Sequence, residues 1–162
     1  MQFEHFKYLV DTMFEEAETG GLKQKYHDMR VEAMNPLVLA YIGDAYFNLY
    51  VRGKLLAYEQ NKVQVLHRFG AQIVSAAWQS VAYQEIAKEL TEEEQNFFKR
   101  GRNAKSHVPK SATVAQYRAS TGFEAMLGAL YLKEEYERLH ELVEKSFQII
   151  AQAMMEKTRK NK

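Results

Sequence analysis

The chain has 162 residues, of which 46% are hydrophobic and 27% charged, and this composition excludes an intrinsically disordered or fibrous protein. It has no cysteine, which excludes disulfides and thiolate metal sites, and no stretch approaches the roughly 18 apolar residues of a membrane span. The formal net charge is +1, and the length suits one domain with a sizeable core. We therefore expect a cytoplasmic protein with no membrane association.

The spacing of apolar residues predicts helices along almost the whole chain. Asn35 followed by Pro36 is typical of an N-cap and a first helical position. Asn61 is a candidate cap, Gly70 is expected to divide two helices, and residues 91–94 have the pattern of a capping box. The predicted helices span residues 3–17, 35–56, 61–69, 71–90, 91–104, 114–132 and 134–157, with a loop over 106–113.

No alternating strand pattern, internal repeat or linker stands out, so we predict one all-α domain. Residues 1–34 are expected to form a partly helical N-terminal extension that ends in a polar connector over residues 22–34. Residues 35–157 are expected to form the domain itself, and residues 158–162 a basic tail.

The charged residues are unevenly distributed. Residues 95–123 contain no Asp or Glu but carry six of the 22 Lys and Arg residues, which leaves 16 basic against 21 acidic residues elsewhere. The six are Lys99, Arg100, Arg102, Lys105, Lys110 and Arg118, and residues 99–118 are called the basic segment below. A basic segment on an otherwise acidic protein is typical of a polyanion-binding surface. The simpler alternative is a solvated loop.

One carboxylate interrupts the apolar helix predicted over residues 35–56. Asp44, Asn48 and Arg52 are four residues apart and share one face, whereas most of the other residues are apolar. We expect a helix of this composition to be buried in a core or in a subunit interface. A buried carboxylate needs a partner, which is either a structural one such as Arg52 or a metal ion.

The helix predicted over residues 114–132 also carries a single carboxylate. Glu124 is the only acid between Glu94 and Glu134, and Gly128 lies one turn after it, so another backbone can approach closely. Two carboxylates brought together repel each other unless a cation lies between them, and Mg²⁺ is a hard cation that carboxylate oxygens bind. Beside the basic segment, this pair indicates metal-assisted phosphodiester chemistry.

Three sequence blocks resemble one family. LAYIGDA at residues 39–45, the run at residues 99–121 that begins KRGRNAKS, and FEAMLGALYL at residues 123–132 resemble the ribonuclease III domain, in particular its reduced single-domain group, Mini-ribonuclease III. The resemblance covers residues 35 to 133. It implies a ribonuclease III-like helical endonuclease domain that is homodimeric, with Asp44 and Glu124 as catalytic residues and Mg²⁺ ligands.

The sequence departs from the usual pattern of this family at two positions. Ala40 lies four residues before Asp44, and Thr121 lies three residues before Glu124, where the ribonuclease III domain usually has further carboxylates. The same replacements are typical of the Mini-ribonuclease III group, so the interpretation as an enzyme is kept. They leave open whether one Mg²⁺ or a pair is bound.

The resemblance also implies a substrate and partners. The implied reaction is the hydrolysis of double-stranded RNA to 5′-phosphate and 3′-hydroxyl ends, and the implied substrate is the 23S ribosomal RNA precursor, with a large-subunit ribosomal protein as a candidate partner. In the implied homodimer, Ile42, Ala45, Tyr46 and Leu49 pack against the second copy. The candidate RNA-binding residues are Lys99, Arg100, Arg102, Asn103, Lys105, Lys110 and Arg118, with Ser106 as a further polar contact and Tyr117 as a candidate for base stacking.

Two other hypotheses account for part of the sequence. The first is a non-catalytic, dimeric scaffold with the same fold that binds double-stranded RNA, in which Asp44 and Glu124 are structural acids. This hypothesis explains why Ala40 and Thr121 stand where the family usually has carboxylates, because a scaffold does not need catalytic metal ligands. The second is a helical protein–protein interaction module without an RNA role, which leaves the uneven charge distribution unexplained.

Overall fold

The computed structural model describes residues 3–13, 15–22, 30–105, 108 and 110–160. The chain divides into two compact units, with the boundary in the sequence between Arg30 and Val31. In the first unit, Phe3–Met13 forms helix α1, none of whose residues is buried. Residues 15–17, predicted to be helical, instead lead into a turn that a β-bridge from Glu16 to Leu22 closes. Most of the predicted connector, residues 23–29, lies outside the described residues.

The second unit confirms the all-α prediction. Its helices are Pro36–Leu55 (α2), Val63–Ile73 (α3), Ala76–Ile86 (α4), Glu92–Asn103 (α5), Val114–Leu132 (α6) and Tyr136–Lys160 (α7), with 3₁₀ helices at Val31–Ala33 and Ala87–Glu89. No strand occurs in the described part of the chain. None of the described helices is long and apolar enough to cross a membrane. Helix α7 includes residues 158–160 of the predicted tail.

Side-chain caps explain where three helices begin. The Asn35 side chain caps α2, as predicted. Thr91 and Glu94 form the predicted capping box at the start of α5, in which each side chain accepts a hydrogen bond from the other residue's backbone N–H. Thr113 and Gln116 form a second capping box, which the sequence analysis did not identify, at the start of α6.

The division between α3 and α4 lies at Val74 and Ser75, not at Gly70, and the single helix predicted over residues 71–90 is wrong. Gly70 is buried inside α3, whereas Ser75 adopts an extended conformation with ψ of 151°. The predicted cap at Asn61 is also wrong, because Lys62 is the N-cap of α3. Propensity is a weak guide at these positions because tertiary packing overrides it.

Helix α6 is the centre of the second unit, where α2, α4 and α5 pack around it. Its buried residues lie between Ser120 and Leu130, and the half-buried Glu124 is the only carboxylate in this stretch. The central helix of the core therefore carries one carboxylate, Glu124. The surroundings of Glu124 depend on where α2 crosses α6.

Candidate active site

Two glycines bring α2 and α6 into backbone contact. A Cβ atom on Gly43 would lie 1.8 Å from the backbone oxygen of Glu124, and one on Gly128 would lie 1.9 Å from the backbone oxygen of Leu39. No side chain fits between the helices at either position. Asp44 therefore follows the crossing point directly on α2, opposite Glu124 on α6.

We expect Gly43→Ala to lower the free energy of unfolding by about 3 kcal/mol, because the added methyl group forces the two backbones apart. Gly53→Ala is the matched control on the same helix, since a Cβ atom there has no neighbour within 4 Å. Alanine in an open helical position raises the free energy of unfolding by about 0.5–1 kcal/mol. Urea unfolding measures both effects, and equal responses of the two variants would contradict the tight crossing.

Asp44 and Glu124 line one cavity of about 670 Å³. Ala40 and Thr121 also line this cavity. They occupy the two positions where the ribonuclease III domain usually has further carboxylates. The Thr121 hydroxyl donates a hydrogen bond to the backbone oxygen of Tyr117 at 3.0 Å. Residues 40 and 121 are therefore placed beside the carboxylate pair but contribute no charge to it.

The two carboxylates differ in environment. Asp44 is exposed in the single chain, and its Oδ1 accepts a hydrogen bond from Asn48 at 2.9 Å. Partial burial raises the pKa of Asp44, and the hydrogen bond from Asn48 opposes this rise. Burial, and then the negative charge of Asp44, raise the pKa of Glu124 to about 8. Burial, and then the charge of Asp44, therefore favour the protonated form of Glu124.

Residue Gln79 on α4 was missed by the sequence analysis. Its Nε2 donates hydrogen bonds to Glu124 Oε1 at 3.0 Å and to the backbone oxygen of Val74 at 2.9 Å. Its own Oε1 is buried and has no hydrogen-bond partner among the described residues. The signal in the sequence is a long polar side chain in helical register with the apolar residues Ala82 and Ile86.

The oxygen atoms at this site fit a hard divalent cation. A cation between Asp44 and Glu124 removes the repulsion that raises the pKa of Glu124. Among the described residues, no group of three or more His, Cys, Asp or Glu side chains is placed to hold a metal. Mg²⁺ is compatible with a site of two carboxylates because it keeps several water ligands.

The basic segment borders the cavity. Ser111 and Tyr117 are among the cavity-lining residues. Arg100 differs from the other cations of the segment, because its Nη2 donates a hydrogen bond to the backbone oxygen of Met34 at 2.6 Å and its guanidinium lies over the Phe97 ring. The exposed candidates are Lys99, Arg102, Asn103, Lys105, Lys110 and Arg118. Ser106 lies outside the described residues.

The residues predicted to form a dimer interface lie on the outer face of α2. Ala45 and Leu49 are exposed, with 70% of Leu49 accessible, whereas Ile42 and Tyr46 are half-buried. The Tyr46 ring packs on that of Tyr131 within the same chain, at 5.7 Å between ring centres. Val38, Tyr41 and Leu56 extend the exposed apolar surface along the helix, and this surface is called the α2 stripe below.

Comparison with known proteins identifies the class of protein that this helical domain and its carboxylate pair define. Residues 37–135 match the family model of the Ribonuclease III domain. This range contains all of α2 but its first residue, the whole of α3 to α6, and both carboxylates, and the chain belongs to the ribonuclease III family.

Curated relatives in this family carry a more particular name. The chain is 46% identical to Mini-ribonuclease 3 of Thermoanaerobacter over 121 residues, which are 74% of this chain and 85% of that protein. It is 47% identical to Mini-ribonuclease 3 of Enterococcus faecalis over 68% of this chain and 86% of that protein. It is 39% identical to Mini-ribonuclease 3 of Staphylococcus aureus over 76% of this chain and 94% of that protein.

A solved structure supports the fold. The crystal structure of a protein from Fusobacterium nucleatum superposes with a TM-score of 0.66 and 32% sequence identity, over 72% of this chain and 94% of that chain. The fold of the matched part of the chain is thus shared with an experimentally determined protein.

Proposed function

We propose that this chain is a divalent-metal-dependent endoribonuclease that cleaves double-stranded RNA, with Asp44 and Glu124 as its catalytic carboxylates. The observation that carries the proposal is the crossing of α2 and α6, which places both carboxylates in one cavity beside the basic segment. Membership of the ribonuclease III family supports the same activity. The proposed substrate is a stem of the 23S ribosomal RNA precursor in the cytoplasm, with a large-subunit ribosomal protein as a proposed partner.

Asp44 and Glu124 would hold Mg²⁺ between α2 and α6. Bound Mg²⁺ supplies a Lewis acid for the scissile phosphate and a water of lowered pKa as the nucleophile. Asn48 holds the Asp44 carboxylate by its hydrogen bond. Glu124 would lose its proton when Mg²⁺ binds, because the positive charge of the ion offsets burial and the negative charge of Asp44, which raise the pKa of Glu124. The proposed products carry 5′-phosphate and 3′-hydroxyl ends.

The exposed members of the basic segment are the proposed RNA contacts. Arg100 is left out of this set because its guanidinium already donates inside the domain. Long basic side chains on a segment that borders the cavity would bind phosphates and read the shape of A-form RNA more than its sequence. A gel-shift titration with duplex RNA at increasing salt measures this, and affinity that is independent of salt would contradict it. The proposed contacts are Lys99, Arg102, Asn103, Lys105, Lys110 and Arg118.

The α2 stripe is the proposed surface for a second copy of the chain. A symmetric pair buries the exposed apolar side chains of both copies and provides two cavities, one for each strand of a duplex. Sedimentation equilibrium is expected to give twice the chain mass of 18.9 kDa. Leu49→Glu is expected to give the single-chain mass, and a monomeric parent protein would contradict the pairing.

A cleavage assay tests the proposed function directly. The purified chain is incubated with end-labelled duplex RNA, in Mg²⁺ and in EDTA, and the ends of the products are mapped. We expect cleavage to products with 5′-phosphate ends in Mg²⁺ and no cleavage in EDTA. Tight binding without cleavage, on naked duplex and on ribosomal precursor particles, would instead support the non-catalytic scaffold.

A further inference from the structure

The side chain of Gln79 donates a hydrogen bond to Glu124, and no other side chain in the described part of the chain does so. It is almost fully buried, with 1% of its surface exposed. It lies in the first turn of α4, whereas Glu124 lies in the middle of α6. The bond therefore fixes the Glu124 side chain to a helix that contributes no carboxylate to the cavity.

The orientation of the Gln79 amide follows from its second bond. The backbone oxygen of Val74 can only accept hydrogen bonds, so the Nε2 atom must face it. The same Nε2 then presents its other hydrogen to Glu124 Oε1. Rotating the amide by 180° would place Oε1 against two oxygen atoms, and Gln79 is thus held as a donor toward Glu124.

Helix capping alone does not account for this residue. Capping the end of α3 uses only the hydrogen bond to Val74, and the Gln79 Oε1 atom is buried without a partner among the described groups. A buried unpaired amide oxygen is unfavourable, so an apolar residue of similar size would pack here at less cost. Such a residue would lose the bond to Val74 as well as the bond to Glu124, and the bond to Glu124 is the one that helix capping does not explain.

We infer that Gln79 is a positioning residue that holds the Glu124 carboxylate in the orientation required for divalent-cation binding. The inference rests on the proposed function, because it assigns to Gln79 the support of a proposed metal ligand. Loss of a partner that orients a ligand typically weakens metal affinity by about 10- to 100-fold.

Gln79→Met tests the inference, because methionine has a similar length and no donor. Mg²⁺ binding is measured by titration calorimetry without RNA, and cleavage is measured across Mg²⁺ concentrations. The variant is expected to bind Mg²⁺ about 10-fold more weakly. Its half-saturating Mg²⁺ concentration should rise to the same extent, its KM for RNA should stay unchanged, and high Mg²⁺ should restore cleavage. A purely structural role would lower the unfolding midpoint without changing the half-saturating Mg²⁺ concentration.

Gln95→Met is the matched control. The Gln95 Nε2 donates to the backbone oxygen of Leu90, five residues earlier, at 3.2 Å, which repeats the bond between Gln79 and Val74 without a catalytic partner. This control is expected to keep the Mg²⁺ affinity of the parent protein. If Gln79→Met does not fold, Gln79→Leu serves the same comparison.

The outcomes separate the two proposals. A parent protein that neither binds Mg²⁺ nor cleaves RNA overturns the proposed function. A parent protein that does both, together with a folded Gln79 variant whose Mg²⁺ affinity lies within twofold of it, overturns the inference alone.

Discussion

Asp44→Asn is expected to lower the rate of RNA cleavage by at least about 10³-fold, while the fold and the affinity for duplex RNA are retained. The substitution removes the charge of one of the two cavity carboxylates, and metal stabilisation of a phosphodiester transition state contributes several kcal/mol. Folding is expected to survive because Asp44 is exposed and the new amide oxygen can still accept the hydrogen bond from Asn48.

The comparison needs an assay for each property. Cleavage is followed with labelled duplex RNA in Mg²⁺, binding by gel shift in Ca²⁺ or EDTA, and folding by circular dichroism. Glu85→Gln is the matched control, since Glu85 is an exposed carboxylate on α4 that does not line the cavity. If Asp44→Asn keeps its cleavage rate within tenfold of the parent protein, Asp44 is not a catalytic residue.

Without divalent metal, the free energy of unfolding is expected to fall as pH rises from about 4.5 to 8. The pKa of Glu124 is about 8 in the folded chain, against an ordinary value of 4.5. Between these values the folded state binds more protons than the unfolded state, so each pH unit lowers the free energy of unfolding by about 1.4 kcal/mol. The loss reaches about 3 kcal/mol at pH 7 and ends above the folded pKa.

Urea unfolding at a series of pH values in EDTA measures this loss. Glu124→Gln is expected to remove it, because glutamine does not ionise, and saturating Mg²⁺ is expected to reduce it in the parent protein. The other carboxylates affect the free energy of unfolding equally in the parent protein and in the variant, so they do not change the difference between the two curves. Glu144, for example, has its pKa lowered to about 2 by hydrogen bonds from Lys54 and then Tyr50. Its stabilising contribution is lost below pH 4.5 in both proteins. Parallel curves for parent and variant would show that Glu124 titrates normally.

The sequence was most informative where local chemistry decides the outcome. Asn35 and Thr91 cap helices as predicted, because a side chain satisfies backbone donors within its own turn. The pairing of Asp44 and Glu124 was also predicted from the residues, because Gly128 and Gly43 permit a close approach of two apolar helices. The caps depend on neighbouring residues alone, whereas the pairing of the carboxylates depends on two glycines at a helix crossing.

Features that depend on tertiary packing were not predictable in the same way. The end of α3 at Val74 is set by the side chain of Gln79 together with the packing of α3, and neither is visible in a local pattern. The exposure of Asp44 in the single chain was not predicted, because α2 is apolar on both its inner face and its outer stripe, and this composition suggested burial in a core or in a subunit interface. Gln79 lies 45 residues from Glu124, and no spacing rule connects them.

The two acids that flank the acid-free stretch are both withdrawn from the surface. Glu94 has 4% of its surface exposed and accepts a hydrogen bond from Arg138 at 2.7 Å, and Glu124 is largely protonated at neutral pH before a cation binds. Neither flanking acid, and no acid within residues 95–123, therefore cancels much of the field of the exposed cations in the basic segment. A field of this kind steers a polyanion toward the cavity from several ångströms away, so it accelerates the encounter itself, and added salt slows that encounter before it weakens any individual contact.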